Sequence, residues 1–199
     1  MKTVAALIVA FLFMACSRTY PAITEYRIAP SGVTSTEIIQ SSCKNETLKI
    51  SQVFVKSSLM SKEMKYVVGE YQEYAYNQSE WAEYPNKAIT DVIVEYLSRA
   101  NIFSNVSSYK SFSSSTYTLE TNIAEFTQYY SKDEKNSFVR LDITFSLVDN
   151  ATGKIVDSKH IFKEKKTKAT DAQSGVVALN ELLFESLREM QMWLAKSCQ

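Results

Sequence analysis

Three thiols and one imidazole carry the most distinctive chemistry in this 199-residue chain: Cys16, Cys43, Cys198 and His160. A single histidine excludes a multi-histidine metal site and leaves a histidine-based triad only His160 to build on. Cys16 directly follows Phe13-Met14-Ala15 at the end of an apolar run, where cleavage would leave it the first residue of the mature chain. Cys43 and Cys198 are then left over. In an exported chain two such thiols are candidates for a disulfide, which would clasp the C-terminal helix to the loop before the second strand. In the alternative, one lies in a flexible loop, the other in a frayed tail, and both stay free. The remaining distinctive groups are tyrosines, with Tyr66, Tyr71, Tyr74, Tyr76 and Tyr84 crowded into one short stretch. Aromatics are enriched at interfaces, and they also favour strands. On density alone, Tyr66, Tyr71, Tyr74 and Tyr76 are the candidate partner surface. No carboxylate pair, phosphate loop or nucleophile motif stands out, so no catalytic site, metal or cofactor is expected. The chain reads as a non-enzyme.

The N-terminal run gives Cys16 its context. Lys2 is the only charge before position 18, and Val4 to Ala15 is apolar. This run is shorter than the ~20 residues a membrane span needs, and it matches the apolar core of a secretory signal. Ala15-Cys16 resembles a bacterial lipobox, although Phe13 and Met14 stand where that motif prefers leucine and a small residue. An ordinary signal peptide with an incidental Cys16 is the competing reading. The lipobox is favoured because the cysteine falls at the only plausible cleavage point. Residues 1–15 are then the signal peptide, 16–24 a tether and 25–199 a single domain. Ser17 in place of aspartate resembles an outer-membrane address, which puts the protein in the bacterial envelope facing the periplasm. Three acyl chains exceed the two signals that stable attachment needs.

The chain has 22 basic and 22 acidic residues and is 45% hydrophobic. That balance predicts a core of ordinary size and no nucleic-acid partner. Strand-like alternation appears at Thr24–Pro30, Leu48–Val55, Met64–Val68 and Tyr71–Tyr76, with Gly69-Glu70 joining the last pair as a tight hairpin or a bulge. A helix follows Glu80-Trp81-Ala82-Glu83-Tyr84-Pro85, with Ala88, Ile89, Val92, Ile93, Tyr96 and Leu97 on one stripe. Pro85 suits its first turn and Asn101 its end. The serines from Ser107 to Ser115 read as an exposed loop. Then comes a meander: a strand from Tyr117 to about Tyr130, one through Val139–Leu147, and a return from Ile155 to Lys163 after the Gly153 turn. His160 reads as a half-exposed strand residue, and Lys163 to Lys168 as a solvated strand end, with a phosphate-contacting patch as the minor alternative. Asp171 opens a last helix through Trp193. The expected fold is α+β, two-layered, with a mostly antiparallel sheet and two main helices packed on one face.

Tyr26-Arg27-Ile28, Trp81-Ala82-Glu83-Tyr84-Pro85, Ala88-Ile89 through Leu97 and Ile102-Phe103-Ser104-Asn105-Val106, behind the lipobox, resemble the ABC-type transport auxiliary lipoproteins, among them the paraquat-inducible C-type lipoproteins. Trp81 and Pro85 are spaced by four here, one more than that pattern, and the polar segment 31–46 aligns weakly. The resemblance implies a non-catalytic envelope subunit, lipid-anchored through Cys16 and sometimes forming a ring of copies. Its partners would be ABC transporter subunits bearing mammalian-cell-entry (MCE) domains, in systems that move lipids or other hydrophobic molecules. The rival expectations are a different envelope lipoprotein acting as an assembly or activator factor, and a periplasmic lipid- or small-ligand-binding protein with a cavity between helix and sheet.

Overall fold

The structure, a computed structural model, describes residues 22–31 and 39–198. The signal segment, Phe13-Met14-Ala15, Cys16 and most of the tether lie outside the described residues. Everything else is arranged about one long strand, β7 (Tyr117–Tyr130). Tyr117, Leu119, Thr121 and Ile123 point to one face, as the alternation predicts. A bulge between Ile123 and Glu125 then shifts the phase, so that Phe126, Gln128 and Tyr130 continue on the same face. One extra residue is what keeps a 14-residue strand buried on a single side.

One edge of β7 pairs antiparallel with β8 (Ser137–Asp149), and β8 pairs antiparallel with β9 (Lys154–Lys166). Gly153, at φ +68°, makes the turn between them. Along the other edge, three short strands pair with β7 in tandem, all parallel: β2 (Thr47–Ile50), β3 (Phe54–Val55) and β4 (Glu63–Val68). Outside β2 lies β6 (Asn105–Ser108), and outside β4 lie β5 (Gln72–Trp81) and β1 (Thr24–Tyr26).

The expectation of a mostly antiparallel sheet is therefore corrected. Five of the strand pairings among the described residues are parallel and three are antiparallel, so the sheet is mixed. Three smaller corrections accompany it. The expected strand Leu48–Val55 is two strands, and Val53 between them donates its N–H to Thr90 Oγ1 at 3.0 Å. Ser107 and Ser108 belong to β6 and are half-buried, so the exposed serine loop starts after them. The expected strand Tyr71–Tyr76 runs on to Trp81, which is buried, and the helix begins at Pro85 as expected.

Helices α1 (Pro85–Ala100) and α2 (Ala172–Ser197) pack on the sheet and on each other, with Tyr96 donating to Gln191 Oε1 at 2.7 Å. Pro85 is at the start of α1, and Asn101, at φ 54°, ends it in the left-handed conformation that asparagine tolerates. Ile102 and Phe103 are then buried beneath it. Asp171 caps α2 by accepting the Ser174 N–H at 2.6 Å. The Lys163 to Lys168 cluster is not simply solvated. Lys163 pairs with Glu189 at 2.7 Å and Lys165 with Glu181 at 3.0 Å, pinning α2 along β9.

Cys43 and Cys198 are buried and joined in a disulfide, their Cα atoms 5.1 Å apart and 155 residues apart in sequence. Beside it the Ser42 N–H donates to the Ala195 carbonyl at 2.9 Å, so the loop before β2 closes over the last turn of α2. A cross-link over so long a loop restricts the unfolded chain strongly. The double variant Cys43→Ser/Cys198→Ser should lose about 2–4 kcal/mol in urea unfolding. An unchanged midpoint would show that the bond contributes nothing to stability in solution.

Candidate functional site

The β4–β5 hairpin places its tyrosines by register. Tyr66 lies directly opposite Tyr74, and Tyr76 is the next residue of β5 on the same face. The Tyr66 ring is 5.7 Å from that of Tyr74, 4.5 Å from that of Tyr76 and 5.2 Å from that of Tyr130 on β7. Contacts of this kind contribute about 0.5–1.5 kcal/mol per pair beyond burial. This face continues the core face of the sheet past the N-terminus of α2, where no helix covers it fully. Tyr74 remains 46% exposed, and Tyr66 and Tyr76 are half-buried.

Beneath the rings runs a polar chain. Tyr76 Oη donates to Gln128 Oε1 at 2.9 Å and lies 2.6 Å from Tyr130 Oη. Gln128 Nε2 donates to Ser137 Oγ at 3.1 Å and to the Asp171 carbonyl at 3.2 Å. A carbonyl can only accept, so the amide orientation is fixed. Tyr76 must then donate to Gln128, and Tyr130 to Tyr76. Thr167 Oγ1 donates to the Ser137 carbonyl at 2.9 Å and completes the chain at its far end. Gly175 of α2 makes this geometry possible, since a Cβ there would sit 1.8 Å from Gln128 Oε1. Only glycine lets the helix start so close above a glutamine side chain.

Burial, reinforced by the hydrogen bond with Tyr130, holds the Tyr76 hydroxyl far above the ordinary tyrosine range, and burial raises Tyr130 as well. Both stay neutral at physiological pH. The site therefore offers aromatic faces and neutral hydroxyls and no nucleophile. It can bind; proton transfer would be hard for it.

Of the four tyrosines expected to form a surface, the structure brings Tyr66, Tyr74 and Tyr76 together and separates Tyr71, which stands on the hairpin turn, 90% exposed. Tyr84 is at the start of α1, away from the cluster. Sequence reasoning missed Tyr130 and Gln128. The signal for Gln128 was a polar residue in the inward phase of a strand.

The helix-free face of the sheet holds a second cluster that the sequence did not suggest. The Arg140 guanidinium lies 4.7 Å from the ring centre of Tyr129 and 5.5 Å from that of Phe162, and it is held by Glu164 at 2.6 Å and Glu125 at 3.3 Å. Its charge is already matched within the sheet. His160 is exposed on β9 with Nε2 2.8 Å from Asp142 Oδ1. Among the described residues no group of three or more histidines, cysteines or carboxylates could hold a metal ion. Nor is any helix there long and apolar enough to cross a membrane. The space between the start of α2 and the sheet, lined by Met64, Trp81, Phe126, Gln128 and Gly175, is only about 20 Å³. That is room for about one water and far too little for a ligand.

The raised hydroxyls predict a pH dependence. An unfolded tyrosine ionises near pH ~10, while folded Tyr76 and Tyr130 keep their protons longer. Their contribution is therefore fully present below that pH and is lost as pH rises above it. Urea unfolding between about pH 9 and 11 should show wild type losing stability more steeply than Tyr76→Phe. Equal slopes would refute the coupling.

The chain matches the model of the ABC-type transport auxiliary lipoprotein component family over residues 26–191. No curated protein sequence matches it. Among solved structures it is similar to a DUF330 protein from Xanthomonas campestris at 14% identity and a TM-score of 0.73, covering 86% of this chain and 94% of that one. It is also similar to an uncharacterised protein at 18% identity and a TM-score of 0.64, covering 80% of this chain and 98% of that one. At these identities the structural likeness speaks to the fold alone. The family match runs from the last residue of β1 to the later turns of α2, taking in the tyrosine hairpin and its buried polar support. The chain belongs to the ABC-type transport auxiliary lipoprotein component family.

Proposed function

We propose that this protein is a non-catalytic accessory subunit of an envelope ABC transport system, anchored at the outer membrane by acyl chains on Cys16. Its partners are the MCE-domain subunits of that system, which it docks at the outer membrane for transport of lipids or other hydrophobic molecules. The observation that carries the reading is the neutral tyrosine face of the β4–β5 hairpin. It is rigidly supported from beneath and only partly covered, as a protein-contact surface requires. Tyrosine supplies large contact area at low side-chain entropy cost and is enriched among residues that dominate binding. Under Gly175 the space between helix and sheet is too small for a ligand, which weighs against a ligand cavity at that place.

Two measurements test this reading. Expressed in a bacterial host, the wild type should fractionate with membranes and carry the mass of acyl chains, whereas Cys16→Ala should be released into the soluble fraction. Soluble, unmodified wild type would end the anchor reading. The second is co-purification with MCE-domain transporter subunits, which should fall at least about tenfold with Tyr74→Glu, equivalent to about 1.4 kcal/mol. Tyr74 is exposed enough that the fold should survive. Undiminished capture would remove the tyrosine face from the interface.

A further inference from the structure

The chain's entry into the sheet sets which end of the domain lies nearest an anchor at Cys16. β1 pairs parallel with the end of β5, Thr24 with Ser79 and Tyr26 with Trp81. β5 itself starts at the hairpin turn, at Gln72. The chain therefore comes into β1 from the hairpin side. Glu25 is level with Glu80, and Glu80 with Glu63. From Glu63 to the hairpin turn is the five-residue advance to Val68, about 17 Å at strand rise. Continuing the pairing of Tyr66 with Gln128 puts Glu63 level with Glu125. The opposite end of the sheet, at Tyr117, then lies about 26 Å away in the other direction. Nine residues separate Cys16 from Glu25, an extended reach of about 30 Å. That reach meets the hairpin end with slack to spare. Reaching the far end would need near-complete extension and a reversal across the sheet.

The hairpin end has the side chains for such a position. Tyr71 projects from the turn, 90% exposed. Gly69, at φ +65°, allows the turn, and its N–H donates to the Tyr130 carbonyl at 2.9 Å. The Lys132 stem packs against it, with Cγ 3.2 Å from where a Gly69 Cβ would lie. An open concavity of about 410 Å³ between them is lined by Val68, Gly69, Glu70, Tyr71, Gln72 and Lys132. Exposed Lys132, Lys135, Lys166 and Lys168 are balanced by Glu70, Asp133, Glu134 and Asp171 nearby. The end is thus close to neutral, which points to contact through amphipathic side chains rather than through attraction to anionic lipid.

We propose that this hairpin end, led by Tyr71 with Lys132 beside it, rests in the phospholipid headgroup layer of the membrane that holds Cys16. The proposal builds on the anchor reading above. Tyrosine partitions to the membrane–water boundary because one end of its ring is apolar and the other is wet. Lysine can lay its stem there and keep its charge in water. The opposite end, with the fully exposed Phe112, then faces away from the membrane.

The test uses the full acylated chain in vesicles of phosphatidylethanolamine and phosphatidylglycerol, spin-labelled at Tyr71→Cys or at Phe112→Cys. Both positions are exposed, so neither variant should disturb the core. The readout is relaxation by oxygen, which concentrates in lipid, against relaxation by a water-soluble nickel chelate. With vesicles, the label at 71 should show a several-fold rise in the oxygen-to-nickel ratio and the label at 112 should not change. A label at 71 that remains as water-exposed as the one at 112 overturns the proposal. So does shielding from nickel that appears only when transporter subunits are added, which would make the hairpin end a protein contact. Failure of the wild type to float with the vesicles is a separate result. It would overturn the Cys16 anchor, and the proposal with it.

Discussion

The hydrogen bonding of β7 along both its edges is the constraint from which the rest of the structure follows. On one side it runs antiparallel to β8 for nearly its whole length, and on the other it takes β2, β3 and β4 in succession. The long side is a continuous hydrophobic plate. Val139, Leu141, Ile143, Phe145 and Leu147 of β8 are all fully buried. Each is worth about 1.5–3 kcal/mol relative to exposure. The partly exposed ion pairs that hold α2 along β9 contribute about 0–1 kcal/mol each. Burial therefore sets the stability of the layer pair, and the lysine–glutamate contacts set the alignment of the helix.

The short side is where the fold differentiates. Because β2, β3 and β4 are separate pieces, the sheet divides beyond β7 into a β2–β6 branch under α1 and a β4–β5–β1 branch reaching past α2. The second branch has core-like side chains with no helix wholly above them. Tyrosine resolves that conflict, since its ring packs like a core residue and its hydroxyl can be satisfied by Gln128 or by water. The price in freedom falls on α2, which must carry Gly175 where the glutamine side chain rises to meet it.

The two ends of the domain are held by different means. At one end the Cys43–Cys198 bond and the Ser42–Ala195 hydrogen bond close α2 onto the loop before β2. At the other the buried chain from Tyr130 through Gln128 to Thr167 fixes the hairpin against the start of the same helix. One 26-residue helix thus spans from a covalent clasp to a polar one. A displacement at the tyrosine face would have to be carried through α2 or through β7.

Local sequence determined the elements whose periodicity is unambiguous. The α1 stripe from Ala88 to Leu97, the proline and asparagine at its ends, and the β7–β8–β9 meander all follow from patterns of 3.6 or 2 with turn residues between them. The single histidine and the balance of charges likewise bounded the chemistry before any fold was known. Tertiary structure decided whatever depends on partners distant in sequence. Short strands such as Asn105–Ser108 and Phe54–Val55 have too few residues to show a period, and they exist because β2 and β7 offer open edges. The parallel pairing of β4 with β7 brought Tyr130 and Gln128, some sixty residues away, under Tyr66 and Tyr76. Strand direction leaves no trace in alternation, since a parallel and an antiparallel neighbour bury the same face. For that reason the sheet's mixed character became visible only in three dimensions.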